Sequence, residues 1–157
     1  MTISTFTPKI LVFCCNWCSY AAADLAGTSR MQYPANIRIL RVPCSGRVDM
    51  LHVAKAFEKG WDGVLITGCL KGQCHYLEGN LKAEPRIKFL SDLLGEIGFE
   101  PRRLRIRFMS AAMAPEFVKE VTEFVHLIQE LGPSPIRTLG KDIPQKDPLR
   151  VLIHFSC

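Results

Sequence analysis

The chain has 157 residues, of which 48% are hydrophobic and 22% charged, and this fits one globular domain with a short appendage. The net charge of +5 is spread along the sequence without a basic block, which disfavours nucleic-acid binding. The apolar runs are too short for a membrane span and the N-terminus lacks the features of a secretory signal, so a cytoplasmic protein is expected.

Strand-like and helix-like segments alternate along the chain, which is typical of βα units and a parallel sheet. Strands are predicted at 10–13, 37–42, 63–66 and 104–109. Helices are predicted near 20–27, 49–60, 75–97 and 115–131. Asp49 is a suitable N-cap for the second helix, and Pro85 predicts an interruption in the third. The fourth helix carries an apolar stripe at helical spacing, made by Phe117, Val121, Phe124, Ile128 and Leu131.

These elements predict an α/β fold: an open, mainly parallel four-stranded sheet with helices on both faces, of the flavodoxin-like kind. Arginines alternate with apolar residues in the fourth strand, which places that strand near a sheet edge. The predicted domain covers residues 1–132. A proline-rich C-terminal extension covers 133–157 and is typical of a linker or surface arm, with one further strand-like run at 149–155.

Cysteines follow three of the predicted strands. Cys15, Cys44 and Cys69 stand at or just after strand ends, and Cys18 and Cys74 lie in loops at the same edge. Because parallel strands share one carboxyl edge, where open α/β sheets hold ligands, these five thiols are expected to converge there. By strand alternation Cys14 points away from Cys15. We interpret Cys14, and also Cys157, as ordinary thiols, because most cysteines are small buried residues and not ligands.

Three kinds of site compete for these thiols. In a reducing compartment a disulfide framework is disfavoured, which leaves metal binding or catalysis. A 2Fe-2S cluster takes four cysteines and can accept them from separate loops. A structural zinc would hold the chain as an interaction module, although only Cys15 and Cys18 form a tight pair. The same C-x-x-C pair could also serve a dithiol oxidoreductase, which would leave the other cysteines unexplained.

Four segments of the sequence resemble motifs of a known family and occur in the same order. They are FCCNWCSYAAADLAGTSR, IRILRVPCSGRVD, GVLITGCLKGQCHYLEGNLKAE and RFMSAAMAPEFVKEVTEFV. The resemblance, from about Lys9 to Gly132, is to the small iron–sulfur (delta) subunit of methyl-viologen-reducing hydrogenase. It implies a 2Fe-2S cluster in a non-catalytic electron relay. The implied partners are a hydrogenase or formate dehydrogenase on one side and the flavin subunit of heterodisulfide reductase on the other.

The resemblance also implies the cluster ligands. Its motifs fall on five candidates for four places: Cys15, Cys18, Cys44, Cys69 and Cys74. Cys15 and Cys18 are the firmest of these, and one of the other three is expected to stand aside. Three further residues are candidate cofactor neighbours: Trp17 and Tyr76 as aromatic shields from water, and Arg47 as a positive charge near an anionic centre.

Overall fold

The computed structural model describes residues 6–139, and four strands within them form one parallel sheet. The strands are β1 at Ile10–Cys15, β2 at Ile37–Val42, β3 at Gly63–Gly68 and β4 at Leu104–Phe108. Their spatial order is β2-β1-β3-β4, with every neighbouring pair parallel. This is the order of the first four strands of a flavodoxin-like sheet. The predicted fold class is confirmed, including the edge position of β4.

Within the described residues, five helices connect or follow the strands. Their bounds are Ser19–Thr28 for α1, Met50–Glu58 for α2, Gly79–Glu96 for α3, Ala114–Leu131 for α4 and Pro135–Leu139 for α5. The Asp49 carboxylate accepts a hydrogen bond from the Leu51 amide and caps α2 as predicted. Short 3-10 turns at 45–47 and 101–103 precede α2 and β4. None of the helices within residues 6–139 is long and apolar enough to span a bilayer.

The helices divide between the two faces of the sheet and enclose two apolar cores. The core under α1 and α4 contains Val12 of β1 together with Phe117 and Phe124 of α4. The core under α2 and α3 contains Phe13 of β1 and Phe57 of α2. Successive residues of β1 thus point into opposite cores, because side chains alternate along a strand. Both faces of the sheet are covered, as in other parallel sheets.

Helix α3 differs from the prediction in two ways. It begins at Gly79 rather than near His75, because residues 74–77 form a tight turn closed by a bridge between Cys74 and Leu77. The predicted interruption before Pro85 is wrong, since α3 continues through that residue. Pro85 removes one helical hydrogen bond, to the Leu81 carbonyl, and both residues lie on the exposed side of the helix. Water can therefore satisfy that carbonyl.

A buried ion-paired network closes the sheet at the edge where its strands begin. The carboxylate of Asp62 is fully buried, accepts hydrogen bonds from the amides of Lys9 (2.8 Å) and Ser134 (2.9 Å), and pairs with Arg137 of α5. The buried Arg103 donates to three main-chain carbonyls nearby, those of Asp62, Leu131 and Pro133. The chain after α4 is therefore fastened beneath the sheet, with α5 packed on α2.

The predicted strand at 149–155 lies outside the described residues. The division into a domain at 1–132 and an extension at 133–157 stays a prediction.

Candidate metal centre

Three strands deliver cysteines to a common edge of the sheet. Cys15 is the last residue of β1, Cys69 follows β3 directly, and Cys44 follows β2 after one residue. Cys18, just before α1, and Cys74, shortly before α3, come from loops at the same edge. The five side chains are all buried and form a group separate from both apolar cores. We refer to these five residues as the thiol cluster.

The sulfur atoms of the thiol cluster lie at distances suited to sharing a metal. Those of Cys15, Cys18 and Cys69 are all within 4.8 Å of one another, and the Cys15 and Cys69 sulfurs are 3.7 Å apart. The Cys44 and Cys74 sulfurs are separated by 3.9 Å. Two thiolates on one tetrahedral ion, with bonds of about 2.3 Å, lie about 3.8 Å apart. The thiol cluster thus contains a group of three and a pair, each close enough to hold one ion.

Backbone amides point at the sulfurs. The Gly46 amide donates to the Cys44 sulfur at 3.4 Å. Further amides donate to Cys15, Cys69 and Cys74; they belong to Trp17, Ser45, His75, Tyr76, Gly79 and Asn80. Amide hydrogen bonds stabilise thiolates and the anionic centres that thiolates form with metals. The loops around the thiol cluster are therefore arranged to hold negative charge on sulfur.

The thiols differ in their proton affinities. A hydrogen bond from Cys18 lowers the pKa of Cys15 to about 5. Burial raises the pKa of Cys44 to about 11. Burial also acts on Cys74, but amide hydrogen bonds led by that of Asn80 outweigh it, so the pKa of Cys74 is lowered. Thiolate character is thus available in both the group of three and the pair, as metal binding requires.

Two glycines allow the loops to close around the sulfurs. A Cβ atom on Gly79 would collide with the sulfur of Cys44 and lie 3.3 Å from that of Cys74. A Cβ atom on Gly46 would lie 2.7 Å from the Cα of Gly79. The 3-10 turn after Cys44 and the first turn of α3 therefore approach each other backbone to backbone, which only glycine permits at these positions.

The sequence of residues 10–132 matches the family described as the delta subunit of methyl-viologen-reducing hydrogenase. The chain belongs to this family. The match covers β1 through α4, and therefore all five residues of the thiol cluster. The resemblance seen in the sequence is confirmed.

Relatives contain this domain in two settings. The vhu iron-sulfur subunit of F420-non-reducing hydrogenase from Methanocaldococcus jannaschii is 50% identical over 130 residues, 83% of this chain and 97% of that protein. The corresponding iron-sulfur subunit from Archaeoglobus profundus is 47% identical over 80% of this chain and 92% of its own. One subunit of ferredoxin:CoB-CoM heterodisulfide reductase from Methanosarcina mazei is 47% identical over 80% of this chain, but the matching region is only 16% of that longer protein.

In this member of the delta-subunit family, three aromatic rings stand beside the thiol cluster. Trp17 stacks on His75 with ring centroids 3.6 Å apart, and its indole N–H donates to the Tyr76 hydroxyl at 3.3 Å. The Trp17 and Tyr76 side chains are about half exposed. The structure thus brings two predicted cofactor neighbours together at the surface over the loops that carry Cys18 and Cys74. Their shielding role stays a prediction.

The third predicted neighbour, Arg47, lies in the 3-10 turn after Cys44. Its amide donates to the Cys44 carbonyl, and its side chain is exposed to solvent. The role of its charge near the centre stays a prediction.

Two residues beside the thiol cluster were not predicted from the sequence. The buried Asn80 side chain donates to the carbonyls of Cys69 and Leu70, both at 2.9 Å, and ties the loop after β3 to the start of α3. Ser45 is buried next to Cys44, and its hydroxyl has no hydrogen-bond partner among the described residues. The sequence offers only a positional signal for them, since both polar residues stand near predicted ligands.

Cys14 lies where strand alternation placed it. It is fully buried in the core under α1 and α4, whereas its neighbour Cys15 belongs to the thiol cluster. Burial raises the pKa of the Cys14 thiol to about 11, so it stays protonated. Its interpretation as an ordinary core thiol agrees with this position.

Proposed function

We propose that the chain is a non-catalytic electron-transfer subunit that holds a 2Fe-2S cluster on four residues of the thiol cluster. The observation that carries this proposal is the set of five buried thiols with backbone amides directed at their sulfurs. In the described part of the chain, the only group of three or more Cys, His, Asp or Glu side chains close enough to hold a metal is Cys15, Cys18 and Cys69. The names of relatives as iron-sulfur subunits support the same interpretation.

The donor set suits this cofactor. Thiolates favour iron–sulfur clusters or zinc over harder cations, and amide hydrogen bonds to sulfur are a usual means of setting a cluster's potential. When bound, a 2Fe-2S cluster supplies one-electron transfer. The chain's own contribution is to keep the sulfurs buried and to stabilise their negative charge through amides. The proposed shielding of the sulfurs from water falls to Trp17 and Tyr76, whose side chains contact each other and are about half exposed.

The sulfur distances, combined with the family motifs, suggest which thiol is spare. Cys44 and Cys74 form the separate pair, so both are needed if each iron takes two thiolates. The fifth thiol then belongs to the group of three. The C-x-x-C spacing favours Cys15 and Cys18 as ligands, which leaves Cys69 as the thiol that stands aside.

The proposed role is a relay between two redox enzymes. Electrons would enter from a hydrogenase or a formate dehydrogenase and leave to the flavin subunit of heterodisulfide reductase. The relatives' names support the hydrogenase and heterodisulfide reductase sides, and formate dehydrogenase comes from the family resemblance alone. The related domain within a heterodisulfide reductase protein of Methanosarcina mazei supports a direct partnership with that enzyme.

Metal and sulfide analysis of anaerobically purified protein tests the proposal. We expect about two irons and two acid-labile sulfides per chain, with visible charge-transfer absorption that bleaches on reduction. Colourless protein with one zinc per chain would instead identify an interaction module. Metal-free protein whose Cys15 and Cys18 cycle between dithiol and disulfide would identify an oxidoreductase.

A further inference from the structure

Helix α3 carries an exposed apolar ridge that begins beside the thiol cluster. Of the large hydrophobic side chains exposed in the described chain, most lie between residues 76 and 97. Along α3 and its C-cap they recur every fourth residue, with Pro85 in the series, at Leu81, Pro85, Phe89, Leu93 and Ile97. Residues four apart form the ridges that pack between helices. We call these five residues the α3 ridge; it is about 24 Å long at 1.5 Å per residue.

The α3 ridge continues into the surface over the thiol cluster. Leu77 is 82% exposed and lies one turn before Leu81, and the half-exposed Tyr76 and Trp17 adjoin it. At roughly 180 Å² per fully exposed large side chain, these residues and the ridge present about 700 Å² of mainly apolar surface. This exceeds the largest patch of about 300–600 Å² on a typical monomer and approaches the ~800 Å² that each partner contributes to a standard interface.

Two lysines beside the start of the ridge are neutralised within the chain. Lys82 pairs with Glu78 at 3.0 Å, and Lys71 pairs with Glu84 at 2.6 Å. This part of the surface therefore suits an apolar partner face and offers little attraction to a charged one. Because exposed apolar residues begin in the turn that follows Cys74, this surface also suits a partner that must approach the proposed metal centre closely.

We propose that the α3 ridge is the docking surface for a helix with an apolar, largely uncharged face on the protein that exchanges electrons with the chain. This inference rests on the proposed function, which makes the flavin subunit of heterodisulfide reductase the partner. Helix-against-helix packing on α3 would seat that partner next to Tyr76 and the thiol cluster.

Binding of the full-length chain to the heterodisulfide reductase flavin subunit of its own organism tests this proposal. The variants Leu93→Gln and Phe89→Gln should weaken binding at least tenfold, measured by calorimetry under anaerobic conditions. Leu25→Gln is the matched control, because Leu25 is exposed to a similar extent (40%, against 42% for Leu93) but lies on α1, on the other face of the sheet. It should leave affinity within twofold.

Four results would overturn the proposal. The first is unchanged affinity in both ridge variants, and the second is no binding of the flavin subunit to wild-type protein that contains its cluster. The third is tighter binding by a chain ending at residue 139, which would show that the chain's own extension covers the ridge. The fourth is self-association of the wild type that the ridge variants abolish, which would identify a second copy of the chain as the occupant of the ridge. Iron content is measured in every sample, so a missing cluster counts against the proposed function and not against the docking surface.

A separate observation concerns the buried hydroxyl of Ser45. It is 1% exposed, has no hydrogen-bond partner among the described residues, and stands among predicted ligands. Ser45 follows Cys44, its amide donates to Cys15, and a Cβ on Gly68, the residue before Cys69, would lie 2.5 Å from its hydroxyl oxygen. A buried hydroxyl without a partner is costly unless a bound group satisfies it.

The geometry points to Ser45 as a positioning residue that donates its hydroxyl hydrogen bond to a sulfur of the bound cluster. Hydrogen bonds to sulfur stabilise the more negative, reduced state and so raise the reduction potential. Ser45→Ala should therefore leave iron content unchanged and lower the potential in an anaerobic redox titration. Ser134→Ala is the matched control, because Ser134 also has a buried hydroxyl without a partner in the described part of the chain, but lies at the opposite edge beside Asp62.

An unchanged potential in Ser45→Ala, or an equal shift in Ser134→Ala, would overturn this role. Loss of iron in Ser45→Ala would overturn it as well, since Ser45 would then support assembly of the centre. This test, too, rests on the proposed function, and protein that never contains iron would refute that function first.

Discussion

The five residues of the thiol cluster are chemically alike, yet their positions predict different consequences of substitution. Cys44 and Cys74 form a pair with sulfurs 3.9 Å apart, and the other three thiols of the thiol cluster form their own close group. Cys44→Ser and Cys74→Ser should each remove most of the iron, whereas Cys69→Ser should retain it, as judged by iron content and visible absorption. Loss of iron in Cys69→Ser with retention in Cys18→Ser would contradict the assignment of the spare thiol.

Gly79 is the position beside the thiol cluster where a side chain would be least tolerated. Gly79→Ala should strongly reduce iron incorporation, because the added Cβ would collide with the Cys44 sulfur. Iron per chain after anaerobic reconstitution is the measurement. Gly27→Ala in α1 is the control, since a Cβ there has no atom within 4 Å and the substitution should stabilise the helix by about 0.5–1 kcal/mol. Equal iron content in both variants would contradict this prediction and show that the loops can move enough to accommodate a side chain at Gly79.

At the level of elements, the two ends of the sheet have different roles. The carboxyl ends of the strands open into glycine-containing loops that carry thiols, whereas the amino ends are closed by Asp62 and Arg103. The loops that carry the thiols extend from one edge of the sheet, and buried ionic contacts hold the opposite edge. This separation lets the loops be shaped for the metal while the remaining structure supplies stability.

The closed end of the sheet gives a stability prediction. Asp62→Ala should lower the free energy of unfolding by about 2–4 kcal/mol, because it leaves Arg137 and the amides of Lys9 and Ser134 without their acceptor. Urea unfolding followed by circular dichroism measures this loss. Asp24→Ala, at an exposed position of α1, should change stability by less than about 0.5 kcal/mol. A small effect of both substitutions would show that the network at Asp62 contributes little.

Helices and strands with a regular spacing of apolar residues could be predicted from the sequence, whereas contacts between distant polar residues could not. The stripe of α4 and the apolar strands follow from local spacing, and the convergence of the cysteines follows from the common edge of parallel strands. Pro85 misled the prediction because a proline on an exposed helix face loses only a hydrogen bond that water can replace. Asp62 and Arg103 make their contacts across long sequence separations, and Asn80 contacts a different loop, so nothing in their immediate neighbours indicated these contacts.

At the level of the whole molecule, the proposed metal centre lies outside the two apolar cores of the described residues. The thiol cluster is separate from both apolar cores, each of which is complete without it. We therefore expect the chain to differ from small zinc domains, which fold only with metal.

Removal of the metal should accordingly leave the fold in place. After treatment with a chelator and reductant, far-ultraviolet circular dichroism should keep most of its helical signal. The melting temperature should fall, because a group that binds only the folded state contributes to its stability. Proteolysis should then cut first in the loops around Ser45 and Gln73, where the ligands are joined to the sheet edge. Complete loss of helical signal on metal removal would contradict the independence of the two cores.

The central claim is that buried thiols from separate loops hold two irons that exchange one electron. Mössbauer spectroscopy of protein prepared anaerobically with ⁵⁷Fe tests it most directly. The account predicts two ferric sites in the oxidised protein, coupled to a diamagnetic state, and one ferric with one ferrous site after uptake of one electron. A single iron per chain, iron that takes up no electron, or a centre occupied by zinc would contradict it.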